Sequence, residues 1–294
     1  MSYANAAELV KDAKELFSMP DIYFQLNQMI RDQRFSLEDI GKVIAKDPAL
    51  SARLLRIVNS ALYGFQSRID TIPRAIAVVG LDDLFNLVVA TCVVDRFSRI
   101  PVELIDMTDF WMRSVHCAVV CKLLAKNSAV LHAERLFLVG LLHDIGSLVM
   151  YQKMPEQAFR VLLAIDHDRQ LLTGFEQEII GFNHAEVGRE LLKLWALPES
   201  VYEVVGCYRE PEKALTHKLD THILNLANRL IENSELGKAA EDTLLEVSDQ
   251  ALAIVRLSRE QIVLVMEQAA ADFFEVFEML APNKKFGHGI AAPN

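Results

Sequence analysis

The stretch Leu136-Phe-Leu-Val-Gly-Leu-Leu-His-Asp-Ile-Gly146 decides how this chain is read. Its apolar residues run without a break into adjacent His143 and Asp144. Such a run spells a buried helix, and a buried imidazole beside a buried carboxylate is costly unless something satisfies both. A metal ion or a hydrogen-bond partner is the usual solution. The functional question is therefore whether the rest of the chain supplies the other ligands that a metal needs.

Outward from that stretch the pattern stays helical and no strand pattern is convincing. In Leu50-Ser-Ala-Arg-Leu-Leu-Arg-Ile-Val58 apolar residues recur at helical spacing around Arg53 and Arg56, both expected to be exposed. Ser36 with Asp39 fits a capping box, and Asp47-Pro48 puts a capping acid before a first-turn proline. Asn59-Ser-Ala-Leu-Tyr-Gly64 suits a helix end and turn, with Asn59 as a cap more readily than as a pocket residue. A second break is expected around Ser98-Arg-Ile-Pro101, and Ser258 with Gln261 opens a long final helix. These marks divide the chain into an N-terminal helical subdomain (1–100), a second helical subdomain holding the His–Asp pair (101–232) and a C-terminal helical extension (233–281). The extension opens on the polar Asn233-Ser-Glu-Leu-Gly237, expected to be a linker, and the tail 282–294, without a packing signal, is expected to be disordered. The last helix carries Ile262, Val265, Ala269, Phe273, Val276, Phe277 and Leu280, a face wide enough to demand docking on the body of the protein.

Composition narrows the class. The 294 residues are 52% hydrophobic, ample for a large core. No charge-free run reaches the roughly 18–20 residues of a membrane span, and Met1 to Lys14 carries acids unlike a signal peptide. A cytoplasmic protein without membrane contact is expected. The net charge of −10 opposes non-specific binding to nucleic acid. Cys92, Cys117, Cys121 and Cys207 show no CxxC spacing. Cys117 and Cys121 lie one helical turn apart, where a metal pair could form, but small apolar residues on a buried helix face are the preferred reading. Trp111 and Trp195 sit in apolar helical contexts and read as core.

Several motifs together, in one order, resemble the HDOD family, the HD-related output domains of bacterial signalling. They are Asp47-Pro-Ala-Leu-Ser-Ala-Arg-Leu-Leu-Arg-Ile-Val-Asn-Ser60, Ala75-Ile-Ala-Val-Val-Gly-Leu81, Phe110-Trp-Met-Arg-Ser114, Gly140-Leu-Leu-His-Asp-Ile-Gly146, Asn183-His-Ala-Glu-Val-Gly188 and Leu194-Trp-Ala-Leu-Pro198. The resemblance spans most of residues 19 to 230. It implies an all-α, multi-helical HD-like bundle with an additional N-terminal helical subdomain and a long C-terminal helix.

The resemblance also implies a ligand set, and here the chain departs from it. Catalytic HD relatives hold divalent metal through a first His, the His–Asp pair, later His residues and a closing Asp, and a metal-bound water serves as nucleophile. His143, Asp144 and His184 match that set. At the first-His position stands Arg113; at a His-His pair before Glu-Pro stand Tyr208 and Arg209; at the closing Asp stands Asn228. Arginine has no acceptor and cannot be deprotonated, so it cannot ligate a metal. Arg113 or Arg209 is expected instead to pair with Asp144 and supply the positive charge there. His116, one turn beyond Arg113, is an alternative ligand; His132 and His167 read as surface residues, and His217 and His222 as flanking the helix of Asn228.

Three functions follow as expectations. The first is a non-catalytic regulatory module acting through protein contacts, with response regulators, kinases or cyclic-dinucleotide enzymes as the partners the resemblance implies, and with no cofactor. The second is a metal-dependent phosphohydrolase on a nucleotide or cyclic dinucleotide, with one divalent metal on His143, Asp144 and His184. The third is a binding module that uses the arginines for a small anionic effector.

Overall fold

Six helices make the N-terminal part: α1 (Ala6–Ala13), α2 (Asp21–Arg31), α3 (Leu37–Ala45), α4 (Pro48–Val58), α5 (Ile72–Val79) and α6 (Leu81–Phe97). Their starts follow local chemistry. Ser36 Oγ accepts from the Asp39 N–H while the Asp39 carboxylate accepts from the Ser36 N–H, closing a capping box on α3. Asp47 caps α4 through the Leu50 N–H, with Pro48 in the first turn. Asn59 ends α4, and its side-chain amide clamps both backbone groups of Ile69, which closes the intervening loop. Arg53 departs from expectation: only 12% of its side chain is exposed, and it leans toward Asp95 of α6 at 3.8 Å, while Arg56 is exposed.

The second part contains α7 (Met107–Asn127), α8 (Ala133–Leu142), α9 (Ile145–Lys153), α10 (Pro155–Ile165), α11 (Leu172–Ile179), α12 (His184–Leu194), α13 (Glu199–Cys207) and α14 (Lys218–Glu235). A short 3-10 turn, Arg169–Leu171, joins α10 to α11. The chain closes with α15 (Ala240–Leu245), α16 (Asp249–Val255) and α17 (Arg259–Leu280). The computed structural model describes residues 3–32, 34–166 and 168–280, and every regular element among them is helical. The tail 282–294 and His167 lie outside the described residues.

One continuous core threads from α1 to α17. Trp195 stacks on Phe97 with ring centroids 5.4 Å apart and donates its indole N–H to the Phe17 carbonyl, which ties α6 and α12 to the N-terminus. Trp111 is likewise fully buried. α17 lays Ile262, Val265, Ala269, Phe273, Val276 and Phe277 against the body, chiefly on α7. The expected linker at Asn233 is corrected: α14 continues through Glu235, because the Asn233 side chain is fully buried and accepts from Gln170 at 2.8 Å. The break falls at Gly237, whose φ of 74° suits glycine.

The opening stretch is not a single helix. α8 stops at Leu142, α9 starts at Ile145, and His143 and Asp144 form the joint between them. Two glycines set how deep that joint lies. A Cβ on Gly140 would stand 2.7 Å from the Ala118 Cα, so α8 presses directly on the α7 backbone. A Cβ on Gly146 would stand 2.0 Å from the His184 carbonyl oxygen, so α9 presses equally on α12. The motif glycines are there for contact between backbones.

Candidate functional site

Because α8, α9, α7 and α12 meet so closely, His143 and Asp144 are 1% and 2% exposed. Asp144 is fully satisfied by protein groups. Its Oδ1 accepts from Ser147 Oγ at 2.6 Å, and its Oδ2 accepts from Arg169 Nη2 at 2.6 Å. Burial opposes the Asp144 charge, but Arg169, His184 and His143 outweigh it and hold the carboxyl well below the usual carboxylate range. Burial likewise opposes the Arg169 charge, and Asp144 with Tyr151 and Glu232 more than compensates.

This corrects the expected pairing. Neither Arg113 nor Arg209 is the partner of Asp144. Arg113 turns to Glu235 of α14, with Nε 2.8 Å from Oε1. Arg209 forks onto Glu232, with Nη2 and Nη1 2.7 and 3.1 Å from its two oxygens. A guanidinium does meet Asp144, but it comes from the 3-10 turn 25 residues on. Nothing in the local pattern singles out Arg169, one arginine among several in a polar connection. Glu176 was missed for the same reason.

His184 is held at both ring nitrogens. Nδ1 lies 2.6 Å from the buried Glu176 carboxylate, and Nε2 lies 2.7 Å from the Tyr208 hydroxyl and 3.8 Å from Asp144 Oδ1. With Nδ1–H donated to Glu176, Nε2 accepts from the tyrosine. Arg209 Nε donates in turn to the same hydroxyl oxygen at 3.0 Å. Tyr208 thus occupies His184, and Arg209 occupies Glu232. Asn228 is buried and contacts Glu232 through a side-chain hydrogen bond.

His143 places Nδ1 2.7 Å from the Gly140 carbonyl, which makes that nitrogen the donor. Its ring also meets the fully buried Cys117 thiol of α7, which in turn touches Cys121. Burial raises the Cys117 thiol, but Cys121 and His143 bring it down to about 6. The remaining histidines among the described residues lie elsewhere. His116 packs its ring 4.9 Å from that of Phe273 on α17 and does not join the site. His132 bonds Asp83, His217 precedes α14, and His222 lies within α14.

Beside the network, Arg113, Arg169, Tyr151, Phe110 and Ile105, together with Asp106 and Asp109, line a cavity of about 170 Å³. Among the described residues no single helix is long and apolar enough to cross a membrane.

Residues 16–211 match the family model described as HDOD domain. An uncharacterized protein of Treponema pallidum (strain Nichols) is 25% identical over 279 residues, a match taking in 92% of this chain and 52% of that protein. The chain therefore spans about half the length of the curated relative it matches. Among solved structures, a Shewanella amazonensis SB2B protein provisionally named a phosphohydrolase aligns with a TM-score of 0.74 at 24% identity, covering 95% of this chain and 99% of that one. An HDOD domain protein with unknown function from Geobacter sulfurreducens gives 0.72 at 22%, covering 94% and 95%. A Marinobacter aquaeolei VT8 protein provisionally named for signal transduction gives 0.69 at 18%, covering 92% and 61%. At these identities the likeness is one of fold.

Proposed function

This chain belongs to the HDOD domain family, and from that premise we propose that it is a non-catalytic signal-transduction module working through contacts with other proteins. The observation that carries the reading is the Arg169 guanidinium on Asp144. A divalent metal in an HD-type site needs the carboxylate and free imidazole lone pairs. Here the carboxylate is taken by Arg169 and Ser147, the His184 lone pair faces the Tyr208 hydroxyl, and His143 abuts a thiol. In this arrangement the residues do not fit a metal. Arg169 supplies the positive charge, and the family's polar centre serves to fix the packing of α8, α9, α12 and α14. Response regulators, kinases or cyclic-dinucleotide enzymes are the partner classes proposed.

The test is metal analysis of the purified protein together with hydrolysis of a simple phosphodiester such as bis-p-nitrophenyl phosphate. No stoichiometric metal and no turnover above an Asp144→Ala control are expected. Stoichiometric metal with turnover that Asp144→Ala abolishes overturns the proposal.

One observation favours a second reading, a binding site for a small anion. Arg113 and Arg169 both border the 170 Å³ cavity, and Arg169 Nε has no hydrogen-bond partner among the described residues. Guanidinium groups suit phosphate or carboxylate oxygens. A ligand at about 100 times its Kd would add about 2.7 kcal/mol of stability, so a thermal-shift screen with inorganic phosphate and nucleotides decides it.

A further inference from the structure

The connection between α7 and α8 is one of several turns around the core that hold non-glycine residues at positive φ, and it holds two of them. Ala129 and His132 adopt φ of 55° and 60°, a region that L side chains disfavour. Ala129 stands at the left-handed position of a helix-ending motif, with the Val130 N–H returned to the Ala125 carbonyl at 3.0 Å. His132 stands at the N-cap of α8 but makes no side-chain cap bond. Ser, Asp or Asn would suit that position better. The ring is instead held by another helix: Nδ1 lies 3.2 Å from Oδ2 of Asp83, in the first turn of α6. Asp83 is nearly buried while the His132 side chain is 61% exposed, and neighbouring Leu131 is 81% exposed.

A carboxylate that accepts from Nδ1–H fixes the tautomer and leaves the Nε2 lone pair toward solvent. Among the described residues no Ser, Thr or Cys side chain hydrogen-bonds to this ring, so it has no hydroxyl or thiol to activate. The nucleophile available is the imidazole itself. An acyl group on imidazole hydrolyses quickly, whereas a phosphoryl group persists long enough to act as a signal. The start of α8, a ten-residue helix, favours negative charge through its unpaired N–H groups and dipole, against the opposing carboxylates of Glu134 in its first turn and of Asp83.

We propose that His132 is a phosphoryl-acceptor site, taking the phosphoryl group of an acyl phosphate on Nε2 while Asp83 holds Nδ1–H. The Nε2 lone pair attacks phosphorus, the P–N bond forms, the P–O bond to the acyl group breaks, and a carboxylate departs with the electron pair. The ring keeps its Nδ1 proton and becomes cationic, and the Asp83 carboxylate stabilises that charge. The phosphoryl group then sits at the first turn of the helix that ends at His143 and Asp144. The inference rests on the signalling reading for its purpose only; labelling fails or succeeds independently of the metal and hydrolysis measurements that test that reading.

The experiment is incubation of the full chain with acetyl phosphate, followed by mass mapping and phosphorus NMR. One acid-labile phosphoryl group on the peptide carrying His132 is expected. It should be absent in His132→Gln and should form about tenfold more slowly in Asp83→Asn, the effect of losing about 1.4 kcal/mol of transition-state stabilisation. Mapping the unsubstituted protein makes the result independent of whether a variant folds. No label, label at other histidines instead, or an unchanged rate in Asp83→Asn overturns the proposal.

Discussion

Arg169→Ala should damage this protein far more than the loss of an ordinary surface arginine. The guanidinium is 14% exposed and its Nη2 lies 2.6 Å from Asp144 Oδ2. Unit charges about 4 Å apart attract by about 4 kcal/mol at an effective dielectric of about 20. Removing one partner of a buried pair strands the other, at a cost of about 3–5 kcal/mol. Urea unfolding at pH 7 should therefore show a loss of that size. The pH dependence separates electrostatics from lost packing. With Arg169 present, Asp144 titrates below its unfolded value, so its contribution is complete above about pH 4 and drains away as pH falls toward the folded value. Without Arg169, burial loses its leading opponent and Asp144 takes up a proton at higher pH. The variant regains stability as it does so, while the parent is unaffected in that range. The deficit should be largest at neutral pH and narrow as pH falls toward 4. Adding Asp144→Asn to Arg169→Ala should recover much of it, because the stranded charge is gone. A deficit under about 1 kcal/mol, or one independent of pH, would refute the reasoning.

Other perturbations test the surroundings of the site. Gly146→Ala must push a methyl against the His184 carbonyl and the Gly188 nitrogen, and should cost at least about 1–3 kcal/mol; Gly174→Ala in α11 meets nothing within 4 Å and should gain about 0.5–1 kcal/mol, with both read by thermal unfolding. Tyr208→Phe removes the hydroxyl between His184 Nε2 and Arg209 Nε and should cost about 1–3 kcal/mol, a neutral result arguing against that bridge. Burial brings His116 down to about 4 from 6.5, so the folded protein binds fewer protons than the unfolded chain between those values. Its contribution is whole above about pH 6.5 and drains by about 3 kcal/mol as pH falls to about 4. His116→Phe should flatten that part of a stability–pH curve.

The sequence alone determined the class of fold and the place of the polar centre. Capping at Ser36, Asp47 and Ser258 is local chemistry, settled by residues three positions apart, and the buried His–Asp pair is written in its own apolar run. The resemblance to the HDOD family, not local chemistry, singled out His184 and set Arg113, Tyr208, Arg209 and Asn228 at the positions where ligands are expected. Tertiary structure decided which groups satisfy the pair. Periodicity reports the face on which a residue lies, not which distant side chain meets it. Three arginines approach the centre, and helix packing sends Arg113 to Glu235, Arg209 to Glu232 and only Arg169 to Asp144. That choice depends on distances of an ångström or two, set where Gly140 and Gly146 let backbones touch. Long-range pairing of like residues with like acids is the information that a local pattern does not contain.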